Sequence, residues 1–193
     1  MKDWKKELFT IPNLLSLCRL VLIPVYIVIY LNATEAAHYA IAASILAVSC
    51  LTDLVDGKIA RHFDMISTVG KVLDPVADKA TQFALTVCLA VKHPVLWYLA
   101  GLFVIKEGFQ LIAGLITIHQ GKMLNGALLS GKVCTCVLFV SLIFLVLFPE
   151  INPEFVRLIT IIDAVFMLFS LMQYILVYFN KNSFIQDLPK AEN

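Results

Sequence analysis

Residues 126–148, GALLSGKVCTCVLFVSLIFLVLF, form a long apolar stretch with a single charged residue, Lys132. Because a helix needs about 20 apolar residues to cross the hydrocarbon core of a bilayer, this stretch predicts a transmembrane helix. Five further stretches of similar character occur along the chain. They cover residues 12–32, 36–55, 69–91, 94–118 and 155–179. The sequence therefore predicts six transmembrane helices.

Composition supports lipid as the solvent for much of the surface. The chain has 193 residues, of which 60% are hydrophobic and 15% charged, against roughly a quarter charged in a soluble domain, and its mean hydropathy is +0.87. No basic run suggests nucleic acid binding. The connections between the apolar stretches are short, and no linker or internal repeat divides the chain. We therefore expect an all-α integral membrane protein with one helical bundle and one domain, residues 1–193.

Residues 1–11 mix Trp4, Leu8 and Phe9 with lysines. This pattern is typical of a short helical segment that lies in the membrane interface. A solvated basic tail is an equally good interpretation of the same residues.

The distribution of Lys and Arg predicts the orientation in the membrane. Positive residues occur before the first stretch, in the second and fourth connections and in the C-terminal tail, whereas the first and fifth connections have none and the third has only Lys92. By the positive-inside rule, both termini and the even-numbered connections face the cytoplasm. The second connection, with the aspartates that flank it, is therefore expected on the cytoplasmic side.

Four aspartates flank the second connection. Asp53 and Asp56 are three residues apart, and Asp74 and Asp78 are four apart, so each pair shares a helix face. If the two segments form an antiparallel pair, the four carboxylates can face each other. Helix capping or solvation is the alternative role, but it does not suit Asp74 and Asp78, which lie within an apolar span where an ionisable residue indicates function.

Clustered carboxylates repel each other unless they are protonated or bind cations. An all-oxygen site favours Mg²⁺, Mn²⁺ or Ca²⁺, and Mg²⁺ in such a site keeps open positions for substrate phosphates. Gly57 and Gly70 leave room for a ligand or a facing helix near the backbone. Arg61 can clamp a phosphate or serve as a cytoplasmic anchor. The residues alone thus indicate a metal site for a phosphate-bearing substrate.

The spacing of these residues resembles the signature of the CDP-alcohol phosphatidyltransferase family without a departure. The matching pattern is Asp53-x2-Asp56-Gly57-x2-Ala60-Arg61-x8-Gly70-x3-Asp74-x3-Asp78. The resemblance implies transfer of the phosphatidyl group from a CDP-linked lipid, usually CDP-diacylglycerol, to an alcohol, with release of CMP. It also implies a homodimer.

The resemblance also implies roles for the residues of the motif. Two Mg²⁺ or Mn²⁺ ions would be held by Asp53, Asp56, Asp74 and Asp78, and Asp78 would be the general base. The cytidine diphosphate site would be formed by Asp53, Asp56, Gly57, Ala60, Arg61 and Gly70.

The acceptor alcohol is suggested by a closer resemblance to the bacterial phosphatidylglycerophosphate synthase branch. This resemblance rests on residues 11–13 (IPN), residues 73–79 (LDPVADK) and Gly131-Lys132-x2-Thr135. It implies glycerol 3-phosphate, whose phosphate Lys106, Lys132 and Arg19 would bind. Lys106-Glu107 departs from the Arg-Glu usual in that branch, so cardiolipin-synthase-like transfer to phosphatidylglycerol, or transfer to serine or inositol phosphate, stays open. Lys106-Glu107 is alternatively a self-compensating pair.

Two further charges lie inside apolar stretches. Arg19 falls two turns into the first stretch, where it either snorkels to the interface or pairs with a phosphate or carboxylate. Asp163 matches no motif of the family, and we expect it to make a polar contact at a helix or subunit interface. A cation transporter is the alternative of another class, because intramembrane carboxylates also line ion paths.

Overall fold

The computed structural model describes residues 11–35, 37–49, 70–119, 122–124, 128–179 and 185–187. Six α-helices and two short strands lie within these ranges. The helices are α1 Ile11–Leu31, α2 Ala37–Ser49, α3 Gly70–Lys92, α4 Leu96–His119, α5 Leu129–Leu147 and α6 Pro153–Phe179. The strands are β1 Lys122–Leu124 and β2 Ile185–Asp187.

Four of the described helices, α1, α4, α5 and α6, are long and apolar enough to cross a membrane. Only 22 to 33% of the residues in their most apolar windows are buried. Large apolar side chains such as Leu111, Ile112, Leu115 and Ile116 are more than half exposed, which requires a lipid environment. The prediction of an all-helical membrane protein is confirmed, and the number of six spans stays a prediction.

Helix α3 differs from these four because its first half is polar. It begins GKVLDPVADK and has Asp74, Asp78 and two lysines within ten residues. The 23-residue length is sufficient for a span, but the charges remove the apolar character of one end. The polar end is the part of the helix that carries the family motif.

The chain forms two compact units, the first comprising residues 1–92 and 142–151. In this unit α1 packs against α3. Its core includes Tyr26 and Tyr30 of α1, whose rings stack with centroids 5.6 Å apart, together with Leu85 and Leu89 of α3. Tyr39 of α2 meets the Tyr30 ring edge-on. Aromatic contacts therefore connect the first two helices close to the turn that joins them.

Lys92, the last residue of α3, is enclosed by this aromatic group. Its ammonium lies 4.1 Å from the centroid of the Tyr39 ring and 4.8 Å from that of Tyr30. It also donates hydrogen bonds to the Tyr39 hydroxyl and to the Ala33 carbonyl. Cation–π and hydrogen-bond contacts thus hold the end of α3 against the α1–α2 turn.

The second unit comprises residues 93–141 and 152–193. Here α4 packs against α6, and the strands β1 and β2 pair antiparallel, with Lys122 opposite Asp187. The buried residues of α6 recur at alternating spacings of four and three, which is the pattern of one helix face packed against neighbouring helices. They are Val156, Thr160, Asp163, Met167, Ser170, Tyr174 and Val177. The expectation of a single domain is not decided by this division and stays a prediction.

Candidate active site

The aspartates of α3 lie on one face of the polar end of that helix. Asp74 and Asp78 are both within α3, and four residues of helix bring them one turn apart on the same face. The description of side chains in α3 begins at Pro75. The Asp78 side chain is 46% exposed, so a substrate or a cation can reach its carboxylate.

Arg19 of α1 pairs with Asp78 of α3. The Arg19 Nη1 donates to Asp78 Oδ1 at 2.6 Å, and the Arg19 side chain is only 2% exposed. A buried guanidinium in a membrane helix is costly without a partner, and the carboxylate supplies one. Of the partners that the sequence allowed for Arg19, the structure shows a carboxylate. Binding of an acceptor phosphate by Arg19 stays a prediction.

The rest of the motif cannot be placed from this structure. Asp53, Asp56, Gly57, Ala60 and Arg61 lie outside the described residues, and Gly70 is the first residue of α3. Among the described residues no group of three or more His, Cys, Asp or Glu could hold a metal ion. The predicted metal and cytidine diphosphate sites therefore stay predictions.

The chemistry of the available donors fits a hard divalent cation. Asp78 offers carboxylate oxygens, and its side chain is 46% exposed. Oxygen ligands of this kind suit Mg²⁺ or Mn²⁺ rather than softer metals. The Arg19 contact occupies Oδ1 of Asp78.

Lys106 lies in the middle of α4 and is 2% exposed. Its ammonium donates to Glu107 Oε1 at 2.7 Å and to Gln110 Oε1 at 3.3 Å. The pair with Glu107 is the self-compensating arrangement that the sequence allowed, and Gln110 adds a second acceptor one turn away. A cation held in this way can still exchange a partner for a substrate phosphate, so its role in acceptor binding stays a prediction.

Lys132, the other predicted acceptor contact, lies exposed in the first turn of α5. The residue before it, Gly131, is buried against the ring of Tyr174 of α6. A β-carbon at Gly131 would lie 2.7 Å from the Tyr174 hydroxyl oxygen and 3.0 Å from Cε2. A β-carbon at the glycine of the Gly131-Lys132-x2-Thr135 motif would therefore force the Tyr174 ring to shift.

Sequence reasoning missed Tyr174. Its hydroxyl accepts a hydrogen bond from the backbone N–H of Leu128 at 3.3 Å, immediately before α5. The detectable signal was periodicity: Thr160, Asp163, Ser170 and Tyr174 are polar residues on one face of an otherwise apolar helix. Such a stripe indicates polar contacts between helices.

Asp163 makes the interhelical contact that the sequence suggested. The Ser141 hydroxyl of α5 donates to Asp163 Oδ1 at 3.0 Å, and Asp163 is 1% exposed. Hydrogen bonds of this kind stabilise membrane helix pairs modestly. Among the residues that the structure describes, the contact given for Asp163 is with Ser141 and not with a residue of the family motif.

The fold defines a helical membrane protein that carries acidic and basic side chains within its apolar helices. The sequence model described as CDP-alcohol phosphatidyltransferase matches residues 9–176. The chain therefore belongs to the CDP-alcohol phosphatidyltransferase family, and the resemblance noted from the motif is confirmed.

Three relatives illustrate the range of similarity. The CDP-diacylglycerol–glycerol-3-phosphate 3-phosphatidyltransferase of Shigella flexneri is 32% identical over 86% of this chain and 93% of that protein. A probable phosphatidylglycerophosphate synthase of Mycobacterium tuberculosis is 28% identical over 85% of this chain and 78% of that protein. A cardiolipin synthase (CMP-forming)/mitochondrial hydrolase fusion protein of Schizosaccharomyces pombe is 43% identical over 53% of this chain, which spans only 17% of the fusion protein.

Proposed function

We propose that the protein transfers the phosphatidyl group of CDP-diacylglycerol to glycerol 3-phosphate and releases CMP. The observation that carries the proposal is the complete aspartate motif within a family match over residues 9–176. Relatives named for this reaction align over most of both chains. Membership of this family also leaves the alternative of a cation transporter without support.

In the proposed reaction, Asp78 accepts the proton of the acceptor hydroxyl. The hydroxyl oxygen then forms a bond to the phosphorus that carries the diacylglycerol, and the bond from that phosphorus to the CMP oxygen breaks. The Arg19 guanidinium donates to Oδ1 of Asp78 in the structure. This contact orients the Asp78 carboxylate, and a general base must be held within reach of the proton that it takes.

Two Mg²⁺ or Mn²⁺ ions would be held by Asp53, Asp56, Asp74 and Asp78, and when bound they would supply positive charge to the diphosphate of the donor. Gly57, Ala60, Arg61 and Gly70 would complete the cytidine diphosphate site with Asp53 and Asp56. These assignments are carried over from the family motif, residue by residue.

Glycerol 3-phosphate is favoured as acceptor because the relatives with that name match nearly full-length. The buried cation Lys106 and the exposed cation Lys132 suit its phosphate. Transfer to phosphatidylglycerol is the second candidate, since the fusion protein with cardiolipin synthase in its name has the higher identity over its shorter match. Lys106 in place of the usual Arg keeps this candidate open.

The proposal also includes the orientation of the protein in the membrane and its assembly as a homodimer. The distribution of Lys and Arg supports a multi-pass arrangement in the cell membrane with the aspartates facing the cytoplasm. A homodimer is proposed from the family resemblance. Cysteine labelling from either side of sealed vesicles tests the orientation, and cross-linking in membranes tests the dimer.

The purified protein in detergent micelles provides the direct test. With Mg²⁺ or Mn²⁺, we expect release of CMP from CDP-diacylglycerol only when an acceptor is present, and loss of release on chelation of the metal. Glycerol 3-phosphate, phosphatidylglycerol, serine and inositol phosphate are compared at equal concentration. The absence of CMP with every acceptor would contradict the proposed function, and a preference for phosphatidylglycerol would replace the acceptor.

A further inference from the structure

The Tyr174 hydroxyl connects three helices of the second unit. It accepts the backbone N–H of Leu128 at the start of α5, and it also interacts with the side-chain amide of Gln110 of α4. Tyr174 itself belongs to α6 and is 7% exposed. A hydroxyl buried in a membrane protein is expected to be bonded; the Leu128 amide supplies that bond, and the Gln110 amide lies beside it.

On the α4 side, the contacts of Tyr174 lead to Lys106. The Oε1 atom of Gln110 accepts a hydrogen bond from the Lys106 ammonium, which also binds Glu107. Gln110 therefore lies between the tyrosine and the buried cation. A shift of the Gln110 side chain would change the position of the Lys106 ammonium.

On the α5 side, the contacts of Tyr174 lead to the turn that carries Lys132. The Leu128 carbonyl accepts the Lys132 N–H at 3.2 Å, so the hydrogen bond from Leu128 to Tyr174 fixes the first turn of α5. The Tyr174 ring packs directly on Gly131, where a β-carbon would clash with it. The tyrosine is thus held by both a polar and a steric contact with this turn.

We propose that Tyr174 is a positioning residue for the acceptor phosphate. It links Lys106, through Gln110, with the turn of α5 that carries Lys132, and so sets the spacing between the two cations. The inference rests on the proposed function, in which these lysines bind the acceptor. It assigns to Tyr174 no contact with substrate.

The first test replaces the hydroxyl alone. In Tyr174→Phe the KM for glycerol 3-phosphate is expected to rise about fivefold, the effect of one lost neutral hydrogen bond, with kcat and the KM for CDP-diacylglycerol unchanged. Tyr178→Phe is the matched control, because Tyr178 stacks on Tyr174 one turn along α6. Removal of the Tyr178 hydroxyl should leave the KM for glycerol 3-phosphate and the KM for CDP-diacylglycerol unchanged. An unchanged acceptor KM in Tyr174→Phe would overturn the proposal.

The second test reaches the same contact from α5. Gly131→Ala places a methyl group where the Tyr174 ring lies, so the acceptor KM is expected to rise on the order of tenfold through displacement of the ring and its bonds. Gly108→Ala is the control. Gly108 is close to Lys106 in sequence, but a β-carbon at Gly108 would meet nothing within 4 Å. Equal effects of the two alanines would contradict the proposal.

A double-mutant cycle distinguishes positioning from general stability. If Tyr174 acts through Lys106, then Tyr174→Phe should add little to the acceptor KM of Lys106→Met. Gln110→Met removes the amide that lies between Tyr174 and Lys106, and it should reproduce the effect of Tyr174→Phe. If Tyr174→Phe does not fold, Gln110→Met replaces it in the cycle. Additive effects in a folded enzyme would overturn the inference, whereas failure of the wild-type protein to release CMP with any acceptor would instead contradict the proposed function.

Discussion

The two units each bury a cation inside an apolar helix, and they neutralise it differently. In the first unit Arg19 reaches a carboxylate on another helix, Asp78, 59 positions away in sequence. In the second unit Lys106 binds its own neighbour Glu107 and Gln110 one turn away. The first pair connects two helices, whereas the second is confined to one helix.

The difference separates two uses of a membrane charge. The Asp78 partner is 46% exposed, so the carboxylate is both oriented by Arg19 and open to a reactant. Glu107 is 20% exposed, and the ion pair that it forms with Lys106 lies within α4. An interhelical pair therefore suits a catalytic group that must stay fixed, and a local pair suits a cation that exchanges partners on binding.

Removal of the carboxylate from the first pair should have the largest effect. In Asp78→Asn the proposed base is lost, and CMP release should fall by about 10³-fold, within the usual contribution of a general base. The initial rate of CMP release with saturating substrates measures this change. Asp163→Asn, which alters a buried aspartate of α6, is the control and should keep nearly wild-type turnover; comparable activity in both variants would remove Asp78 as base.

Replacement of the phosphate-binding candidate in the second pair should have the next largest effect. In Lys106→Met the KM for glycerol 3-phosphate should rise by about 10-fold to 100-fold, the loss expected for a charged hydrogen bond. Lys106→Arg keeps the positive charge on a planar, bidentate donor and should retain most of the affinity that Lys106→Met loses. If Lys106→Met leaves the acceptor KM unchanged, the pair with Glu107 is purely structural.

Disruption of the interhelical pair from its buried side should lower stability. Arg19→Met leaves Asp78 without its arginine, and the free energy of unfolding should fall by about 1–3 kcal/mol, less than for a fully buried pair because Asp78 is half exposed. Denaturation in mixed detergent micelles measures the change. Lys106→Met should cost at least as much in the same assay, because the Glu107 carboxylate that it leaves unpaired is only 20% exposed; a smaller loss there would contradict this ranking.

The smallest effect is expected for the hydrogen bond between Ser141 and Asp163. A double-mutant cycle of Ser141→Ala and Asp163→Asn should give a coupling energy of about 0.6 kcal/mol, the average for side-chain hydrogen bonds in a membrane. The cycle is measured by unfolding in micelles. A coupling several times larger would indicate that Asp163 has a function beyond joining α5 and α6.

Sequence reasoning succeeded where the determining signal is local. The apolar stretches predicted the helices, and the adjacency of Lys106 and Glu107 already suggested their pairing. It identified the unusual depth of Arg19 but could not choose among its partners, because contacts across 59 positions depend on how α1 packs against α3. The pairing of β1 with β2 was not predicted for the same reason, since each strand has only three residues.

The contacts of Tyr174 show a further limit of sequence patterns. Gly131 was recognised as part of a motif, yet the reason for a glycine there lies on α6, 43 positions later, where the Tyr174 ring packs. Spacing in the sequence predicts which residues share a face of one helix. Which residue of another helix packs against that face depends on how the helices pack, and the spacing does not show it.

The enclosure of Lys92 has a consequence for biogenesis. In the proposed orientation this lysine is translocated to the outer side, against the bias that retains positive residues in the cytoplasm. The rings and carbonyl that receive it belong to α1, α2 and their turn, which are synthesised before α3. The helical hairpin that emerges first thus provides a binding site for the charge that follows, and the folding of one segment can stabilise the topology of the next.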